Sequence, residues 1–170
     1  MKLNKINTFL EEYVQAVIET PKGSTHKYDY DPKLEVFCLN KIMPLGTGFP
    51  FDFGFIPGTK GGDGDPLDIL LIMDKPNIQG VVVQCRVIGV LEAVQTERDG
   101  KQVRNDRLLA VSDLSKQEGK IMDVSELSAG TKTEIESFFK QYNTLAGKEF
   151  QILGWKGAAE AIELIRSQMD

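Results

Sequence analysis

The chain has 170 residues and a formal net charge of −5, and 41% of its residues are hydrophobic and 26% charged. This size and composition are typical of a single soluble globular domain, here spanning residues 1–170, with room for a substantial core. No apolar run approaches the ~20 residues of a membrane helix, and the acidic balance argues against nucleic-acid binding, which relies on a basic surface.

The first part of the chain is rich in β-formers. Residues 14–18 are apolar and either end an N-terminal helix or begin a strand, because periodicity alone does not separate these two structures. Residues 27–30 and 34–39 flank Asp31-Pro-Lys, a pattern that predicts two strands joined by a hairpin turn.

More strands are predicted beyond the loop formed by residues 44–48. They cover residues 69–73, 81–87, 88–96 and 108–111. The polar segment 96–106 contains the turn dipeptide Asp99-Gly100, which predicts either a mobile loop or a long hairpin.

Helical patterns occur only near the end of the chain. Thr131 and Glu134 have the spacing of a capping box, and Gly147 suits a helix C-terminus. Between them, apolar residues recur at helical spacing: Ile135, Phe138, Phe139, Tyr142 and Leu145. A second, shorter stripe consists of Ala158, Ala161, Ile162 and Ile165. Many short strands followed by two helices predict a β-dominated α+β fold.

The two cysteines bear on the cellular compartment. Cys38 and Cys85 both lie in apolar, strand-like surroundings, which predicts reduced thiols in the core, with a disulfide as the alternative. Residues 1–10 lack the apolar centre of a signal peptide. Both observations favour a cytoplasmic location.

A cluster of three acids is the most informative motif. Asp63, Asp65 and Asp68 lie within six residues that contain no Lys or Arg. Carboxylates this close raise one another's pKa unless a cation lies between them, and Mg²⁺ prefers such oxygen ligands. The other interpretation is a solvated acidic turn. A calcium EF-hand is excluded, because its sixth and twelfth positions would be Asp68 and Asp74 instead of Gly and Glu.

The run Asp63-Gly-Asp-Pro-Leu-Asp68 resembles the signature of the soluble family I inorganic pyrophosphatases. Further similar segments follow the family's order along nearly the whole chain, at residues 17–22, 26–30, 49–57, 107–111, 138–142 and 154–155. The resemblance implies a small closed β-barrel, related to the OB-fold, with two helices packed outside. It also implies hydrolysis of inorganic pyrophosphate to two phosphates by water that Mg²⁺ activates.

The same resemblance implies a role for individual residues. Asp65 corresponds to the catalytic acid that orients or deprotonates the attacking water. The implied metal ligands are Glu19, Asp63, Asp68, Asp99 and Asn105. The implied substrate-binding residues are Lys27, Lys41, Arg107 and Tyr142. Several Mg²⁺ ions are expected, with Mn²⁺ or another divalent ion as a substitute, and His26 and Asp29 are less certain members of the site.

This sequence departs from the family pattern at several of these positions. Lys41 stands where Arg is usual, Phe53 where Tyr is usual, and Asn143 where Lys is usual. Asn105 replaces an Asp that lies two residues before the usual Lys, which here is Arg107. Asp106 would supply the missing charge only if the strand shifted by one residue, which would reverse the face of its side chains.

Three functions therefore remain open. The first is a working Mg²⁺-dependent pyrophosphatase. The second is a phosphate- or nucleotide-binding relative with weak or lost hydrolysis, and the third is a phosphohydrolase acting on other diphosphates. The resemblance also implies a homo-oligomer, with a hexamer favoured and the later helices as its contact surface.

Overall fold

The computed structural model describes residues 2–169. Its strands are β1 (Phe9–Leu10), β2 (Tyr13–Thr20), β3 (His26–Asp31), β4 (Val36–Ile42), β5 (Asp52–Phe55), β6 (Asp68–Ile72), β7 (Val82–Thr96), β8 (Gln102–Arg104), β9 (Arg107–Val111) and β10 (Glu149–Gly157). Its α-helices are α1 (Ala129–Leu145) and α2 (Ala158–Ser167). Short 3-10 helices occur at Leu3–Lys5, Glu118–Lys120 and Val124–Glu126.

The main sheet closes into a barrel. Its strand order is β1-β2-β5-β6-β9-β7-β10, and β7 also pairs with β2, which joins the two sides of the sheet into a ring. The pair β6–β9 is parallel, whereas β7 runs antiparallel to both β9 and β2. Closure gives each of the strands β2, β5, β6, β9 and β7 a neighbour on both sides, so the ring itself has no free edge.

Strands β3 and β4 form a separate two-stranded sheet. The predicted turn at Asp31 joins them, and the Asp31 carboxylate accepts hydrogen bonds from the backbone N–H groups of Lys33 and Leu34 at 2.8 and 3.0 Å. This hairpin pairs Lys27 with Lys41, so it presents two cations that the sequence assigned to substrate binding.

Both faces of the central strands are buried, in keeping with their uninterrupted apolar runs. Alternate residues of β6 and β9 pack in two different clusters. Ile69 and Leu71 lie with Ala161 and Ile165 of α2, whereas Leu70 and Ile72 lie with Ile135 and Phe139 of α1. The period of two along each strand therefore divides the core between the two helices.

Gly54 marks the closest approach of two strands. A Cβ atom at this position would lie 1.8 Å from the carbonyl oxygen of Val17, so any side chain would force β2 and β5 apart. The family-like segment 49–57 thus contains a glycine that the barrel requires for backbone packing.

The helices follow the predicted apolar stripes but not all their predicted ends. Helix α1 begins earlier than expected, because Ser128 is its N-cap and accepts a hydrogen bond from the N–H of Thr131 at 3.0 Å. The predicted capping box at Thr131 and Glu134 is therefore wrong. Gly147 follows the helix with φ +71, as expected for a helix C-terminus. Leu145 was placed in the core stripe but is 49% exposed.

Some strand predictions also need correction. Residues 14–18 belong to strand β2, so they do not end an N-terminal helix. The segments 81–87 and 88–96 form one strand, β7, because the irregularity between Val87 and Gly89 shifts its register without ending it. Strands β5 and β10 were not predicted. The segment 96–106 is a hairpin built from the end of β7 and β8.

The cysteines differ from each other. Cys85 is fully buried, as predicted, and burial raises the pKa of its thiol to about 12. Cys38 is exposed, so its predicted place in the core was wrong, because most residues of β4 are exposed in the separate two-stranded sheet. Both thiols are free, so they form no disulfide.

Within residues 2–169, no helix is long and apolar enough to cross a membrane. The β-dominated α+β fold with a closed, OB-like barrel and two packed helices is confirmed.

Candidate active site

A cavity of about 720 Å³ opens beside the barrel and collects nearly all of the predicted site residues. Those that line it are Glu19, Lys27, Lys41, Asp63, Asp65, Asp68, Asn105, Arg107 and Tyr142. Strands β2, β3, β4, β6 and β9 and helix α1 each contribute at least one of these residues. The fold therefore brings together side chains that are far apart in the sequence.

The acidic turn lies immediately before β6. The N–H of Gly61 donates to the carbonyl of Asp65 at 2.7 Å, and the N–H of Asp65 donates to the Asp63 carboxylate at 3.1 Å. Asp63 and Asp65 are exposed to the cavity, and neither forms an ion pair with a residue between 2 and 169. The pKa of Asp65 is raised by its partial burial and by the negative charges of Asp63 and Asp29.

Asp68 is the first residue of β6 and pairs in register with Arg107 at the start of parallel strand β9. An Arg107 terminal nitrogen lies 2.5 Å from the Asp68 carboxylate and also contacts the side-chain oxygen of Asn105. The Arg107 guanidinium lies over the rings of Phe139 and Phe150, at 5.0 and 5.6 Å from their centres. Burial raises the pKa of Asp68, and Arg107 and Lys27 oppose that shift.

Glu19, Lys27 and Asp29 form a second charged group. Lys27 is 6% exposed, lies 3.7 Å from Glu19 and contacts Asp29. Glu19 also accepts a hydrogen bond from the N–H of Tyr30 at 2.7 Å. Burial raises the pKa of Glu19 to about 7 despite its lysine neighbour. Burial lowers the pKa of Lys27, but Glu19 and Asp29 outweigh burial and the net shift is upward.

Lys41 and Tyr142 contact each other and both line the cavity. The Lys41 ammonium lies 4.2 Å from the centre of the Tyr142 ring, an arrangement typical of a cation–π contact. Tyr142 also packs against Phe49 and Phe138, so it serves the helix stripe and reaches the cavity as well. Burial and the nearby Lys148, Lys27 and Arg98 lower the pKa of Lys41.

The hairpin formed by the end of β7 and β8 determines whether Asn105 or Asp106 faces the cavity. Asn105 lines the cavity, and its amide donates to Gln95 at 3.2 Å. Asp106 is buried away from this cavity, where its carboxylate accepts hydrogen bonds from the N–H of Ala93 and the Nε of Arg104 at 2.9 and 2.6 Å. The structure therefore has the unshifted register, in which Asp106 does not replace the missing charge.

Asp99 is the predicted ligand that the fold does not bring to the site. It lies exposed at the hairpin tip, where its carboxylate accepts a hydrogen bond from the N–H of Lys101 at 3.0 Å. Glu97 lines the cavity instead, because the hairpin turns at residues 97–101 and directs Asp99 away.

Sequence reasoning missed several other cavity residues. The missed residues are Gln95, Glu97, Arg98 and Lys148, whereas Asp29, a less certain member of the predicted site, lines the cavity as well. Strand β8 pairs Gln95 with Val103, so alternation along β7 and β8 would have placed Gln95 and Asn105 on one face once the hairpin was recognised. Asn143 is 1% exposed, and its side-chain amide donates to the carbonyl of Phe139, one turn earlier in α1, at 2.9 Å.

The donor set fits hard divalent cations. Carboxylates line the cavity together with lysine, arginine and tyrosine side chains, and two of the cations, Lys27 and Arg107, lie directly beside carboxylates. Within the described residues, no three acidic, histidine or cysteine side chains already enclose a metal position. Metal ions here would share their coordination between carboxylates, water and ligand oxygens, as Mg²⁺ commonly does.

A barrel whose cavity is lined by both carboxylates and cations has the side chains that divalent metal ions and phosphoryl groups need, as in proteins that act on phosphate compounds. Residues 16–170 match the family model described as inorganic pyrophosphatase. The inorganic pyrophosphatase of Thermus thermophilus is 37% identical over 159 residues, which cover 92% of this chain and 88% of that protein. That of a Synechocystis species is 35% identical over 152 residues, covering 89% and 87%.

Solved structures of inorganic pyrophosphatases are similar to this chain as well. The crystal structure of the Thermus thermophilus inorganic pyrophosphatase superposes with a TM-score of 0.90 at 34% identity, covering 99% of this chain and 97% of that chain. The structure from Neisseria gonorrhoeae gives a TM-score of 0.86 at 32% identity, covering 97% and 95%. The chain belongs to the inorganic pyrophosphatase family.

Proposed function

We propose that this protein hydrolyses inorganic pyrophosphate to two phosphates with the help of Mg²⁺. The observation that carries the proposal is a single cavity that is lined by both unpaired carboxylates and cations. Asp63 and Asp65 have no cationic partner among residues 2–169, while Lys27, Lys41 and Arg107 lie in the same space. Family membership supports this reaction over a phosphate- or nucleotide-binding protein without hydrolysis.

Metal ions have a defined place in this proposal. Asp63, Asp68 and Glu19 would hold them, with Asn105 contributing a neutral oxygen. The chemistry that a bound Mg²⁺ ion supplies is a lower pKa for a coordinated water and charge compensation for phosphoryl oxygens. Mn²⁺ or another divalent ion would substitute, since the ligands are hard oxygens.

The chain's own residues divide the remaining work. Asp65 accepts the proton of the attacking water, because its carboxylate is open to the cavity and burial and neighbouring acids raise its pKa. Lys27, Lys41, Arg107 and the Tyr142 hydroxyl bind phosphoryl oxygens. Arg107 also keeps Asp68 in place, through the ion pair at the start of β6 and β9.

A substrate comparison tests the proposed reaction. With Mg²⁺ present, phosphate release from pyrophosphate should exceed release from nucleoside triphosphates and from phosphate monoesters by orders of magnitude. Preferred cleavage of another diphosphate would identify a different phosphohydrolase. Binding of pyrophosphate without release of phosphate would identify the non-hydrolytic relative.

The neutral side chain of Asn105 should increase the demand for Mg²⁺. Because Asn105 faces the cavity, Asn105→Asp adds a charged oxygen ligand. We expect this variant to reach half-maximal activity at a lower Mg²⁺ concentration than the unmodified protein. A Mg²⁺ titration of pyrophosphate turnover at fixed substrate measures the change.

Asp106→Asn is the matched control for that titration, since Asp106 lies on the opposite face of the strand. Its half-saturating Mg²⁺ concentration should not change. Loss of the buried charge beside Arg104 should instead lower the free energy of unfolding by about 1–3 kcal/mol. An unchanged titration for Asn105→Asp together with a shifted one for Asp106→Asn would contradict the assignment of Asn105 to the metals.

The domain organisation, location and oligomeric state of the protein are also proposed. We expect one domain over residues 1–170, a cytoplasmic location, no nucleic-acid partner, and a homo-oligomer, with a hexamer favoured. Light scattering at micromolar concentration would report the oligomer, and a mass near the 18.9 kDa of one chain would contradict it.

A further inference from the structure

The acidic turn borders a second cavity besides that of the candidate site. This smaller cavity has a volume of about 100 Å³, and its other walls come from α2, at Leu164, and from the end of β8, at Arg104. Asp63 and Asn105 line both cavities. The way in which the turn is held at the smaller cavity therefore bears on where its carboxylates lie.

The chain that leads into the turn is tied to the end of α2. The N–H of Lys60 donates to the carbonyl of Gln168 at 2.7 Å, and Thr59 pairs with Met169 in an isolated antiparallel bridge. These contacts fix the beginning of the turn before the chain reaches Gly62.

Gly62 allows the turn to lie directly on the backbone of β8. A Cβ atom at this position would lie 2.9 Å from the carbonyl oxygen of Arg104 and 3.3 Å from the Arg104 Cβ. The φ angle of Gly62 is not positive, so space alone requires glycine here. At Gly64, in contrast, a Cβ atom would meet nothing within 4 Å. The turn is therefore packed tightly at Gly62 and open at Gly64.

The end of β8 is held firmly where the turn contacts it. The Nε of Arg104 donates to the Asp106 carboxylate at 2.6 Å, and a terminal nitrogen of Arg104 donates to Glu92 at 2.6 Å. The N–H of Asn105 donates to the carbonyl of Ala93 at 3.0 Å. Because Arg104 is bonded on two sides, its backbone does not yield easily to a side chain at position 62.

We propose that Gly62 is a positioning residue for the metal site, and that its contact with the Arg104 backbone sets the distance between Asp63 and Asn105. Asp63 follows Gly62 in the turn, and Asn105 follows Arg104 in the hairpin. The inference rests on the proposed function, in which both side chains contribute oxygens to metal ions. Metal–ligand distances are held to within ~0.2 Å, so a small displacement of the turn weakens the site.

Mg²⁺ binding without substrate tests this role. Calorimetric titration would compare the unmodified full-length protein with Gly62→Ala, Arg104→Lys and Gly130→Ala. We expect Gly62→Ala to bind Mg²⁺ about tenfold more weakly, the scale of effect seen when the support of a metal ligand is lost. Its half-saturating Mg²⁺ concentration for pyrophosphate turnover should rise equally, while kcat at saturating Mg²⁺ changes much less.

The other two variants probe the support and the type of substitution. Arg104→Lys keeps the charge but loses the fork that joins Asp106 and Glu92, so it should weaken Mg²⁺ binding in the same direction by a smaller factor. Gly130→Ala is the matched control, because a Cβ atom in the first turn of α1 would meet only the Ser128 hydroxyl at 3.7 Å. Its Mg²⁺ affinity should not change.

A purely structural role of Gly62 predicts a lower melting temperature of the metal-free Gly62→Ala protein with unchanged Mg²⁺ affinity, and that result would overturn the inference. If Gly62→Ala does not fold, an unchanged Mg²⁺ affinity of Arg104→Lys would overturn it instead. Absence of Mg²⁺ binding by the unmodified protein would overturn both proposals. If the unmodified protein binds Mg²⁺ but does not cleave pyrophosphate, the proposed function alone fails, and the calorimetric comparison still decides the role of Gly62.

Discussion

Asp65→Asn is expected to lower the turnover of pyrophosphate by about 10²- to 10⁴-fold, the usual contribution of a general base. The amide has nearly the same shape as the carboxylate but does not accept the proton of the attacking water. The Asp65 carboxylate is exposed and receives no hydrogen bond from residues 2–169, so the fold should be unaffected. Initial rates at saturating Mg²⁺ measure the loss, and the melting temperature checks the fold.

Two other acids serve as matched comparisons for Asp65. Asp63→Asn should weaken metal binding first, so raising the Mg²⁺ concentration should restore part of its activity but not that of Asp65→Asn. Asp99→Asn should retain its activity, because Asp99 lies at the hairpin tip outside the cavity. A wild-type rate for Asp65→Asn at saturating Mg²⁺ would show that another group is the base.

Phe139→Ala should cause the largest loss of stability, about 3–5 kcal/mol in the free energy of unfolding. Phe139 is 1% exposed and packs against the rings of Phe53, Phe138 and Phe150. Its removal leaves a cavity between α1 and the barrel. It also removes a ring over which Arg107 lies, so the site should be disturbed together with the core.

Leu145→Ala is the control on the same helix. Leu145 is 49% exposed, so its truncation should change the free energy of unfolding by no more than about 0.5 kcal/mol. Urea unfolding of both variants without metal would make the comparison. Equal losses for the two variants would mean that α1 does not pack through Phe139 as described.

The acidic turn and its strand could be predicted from sequence because the information is local. Asp63, Asp65 and Asp68 lie in a short Gly/Pro turn before a run of apolar residues, and that turn leads directly into β6. The family resemblance then supplied the barrel and the role of residues that lie far away in the chain, such as Glu19 and Tyr142. Composition alone predicts neither the barrel nor the roles of these residues.

The errors arose where tertiary pairing decides the local structure. Strand β10 begins with alternating polar and apolar residues, but Leu153, which is exposed, and Gly154 interrupt the alternation where its register to β7 shifts, so the pattern is too short to predict the strand. Cys38 looked like a core residue because β4 is apolar, yet the separate sheet that contains β4 leaves it exposed. Asp99 was assigned from an uncertain hairpin length, and only the pairing of β7 with β8 shows that Glu97 faces the cavity.

The central claim is that the acids and cations lining one cavity cleave pyrophosphate only together with divalent metal. The most direct measurement is phosphate release from pyrophosphate by the purified protein with Mg²⁺, then with excess chelator, then with Mg²⁺ restored. We predict rapid release, complete loss, and recovery. Release that continues undiminished under chelator, or no release with Mg²⁺ present, would contradict the claim.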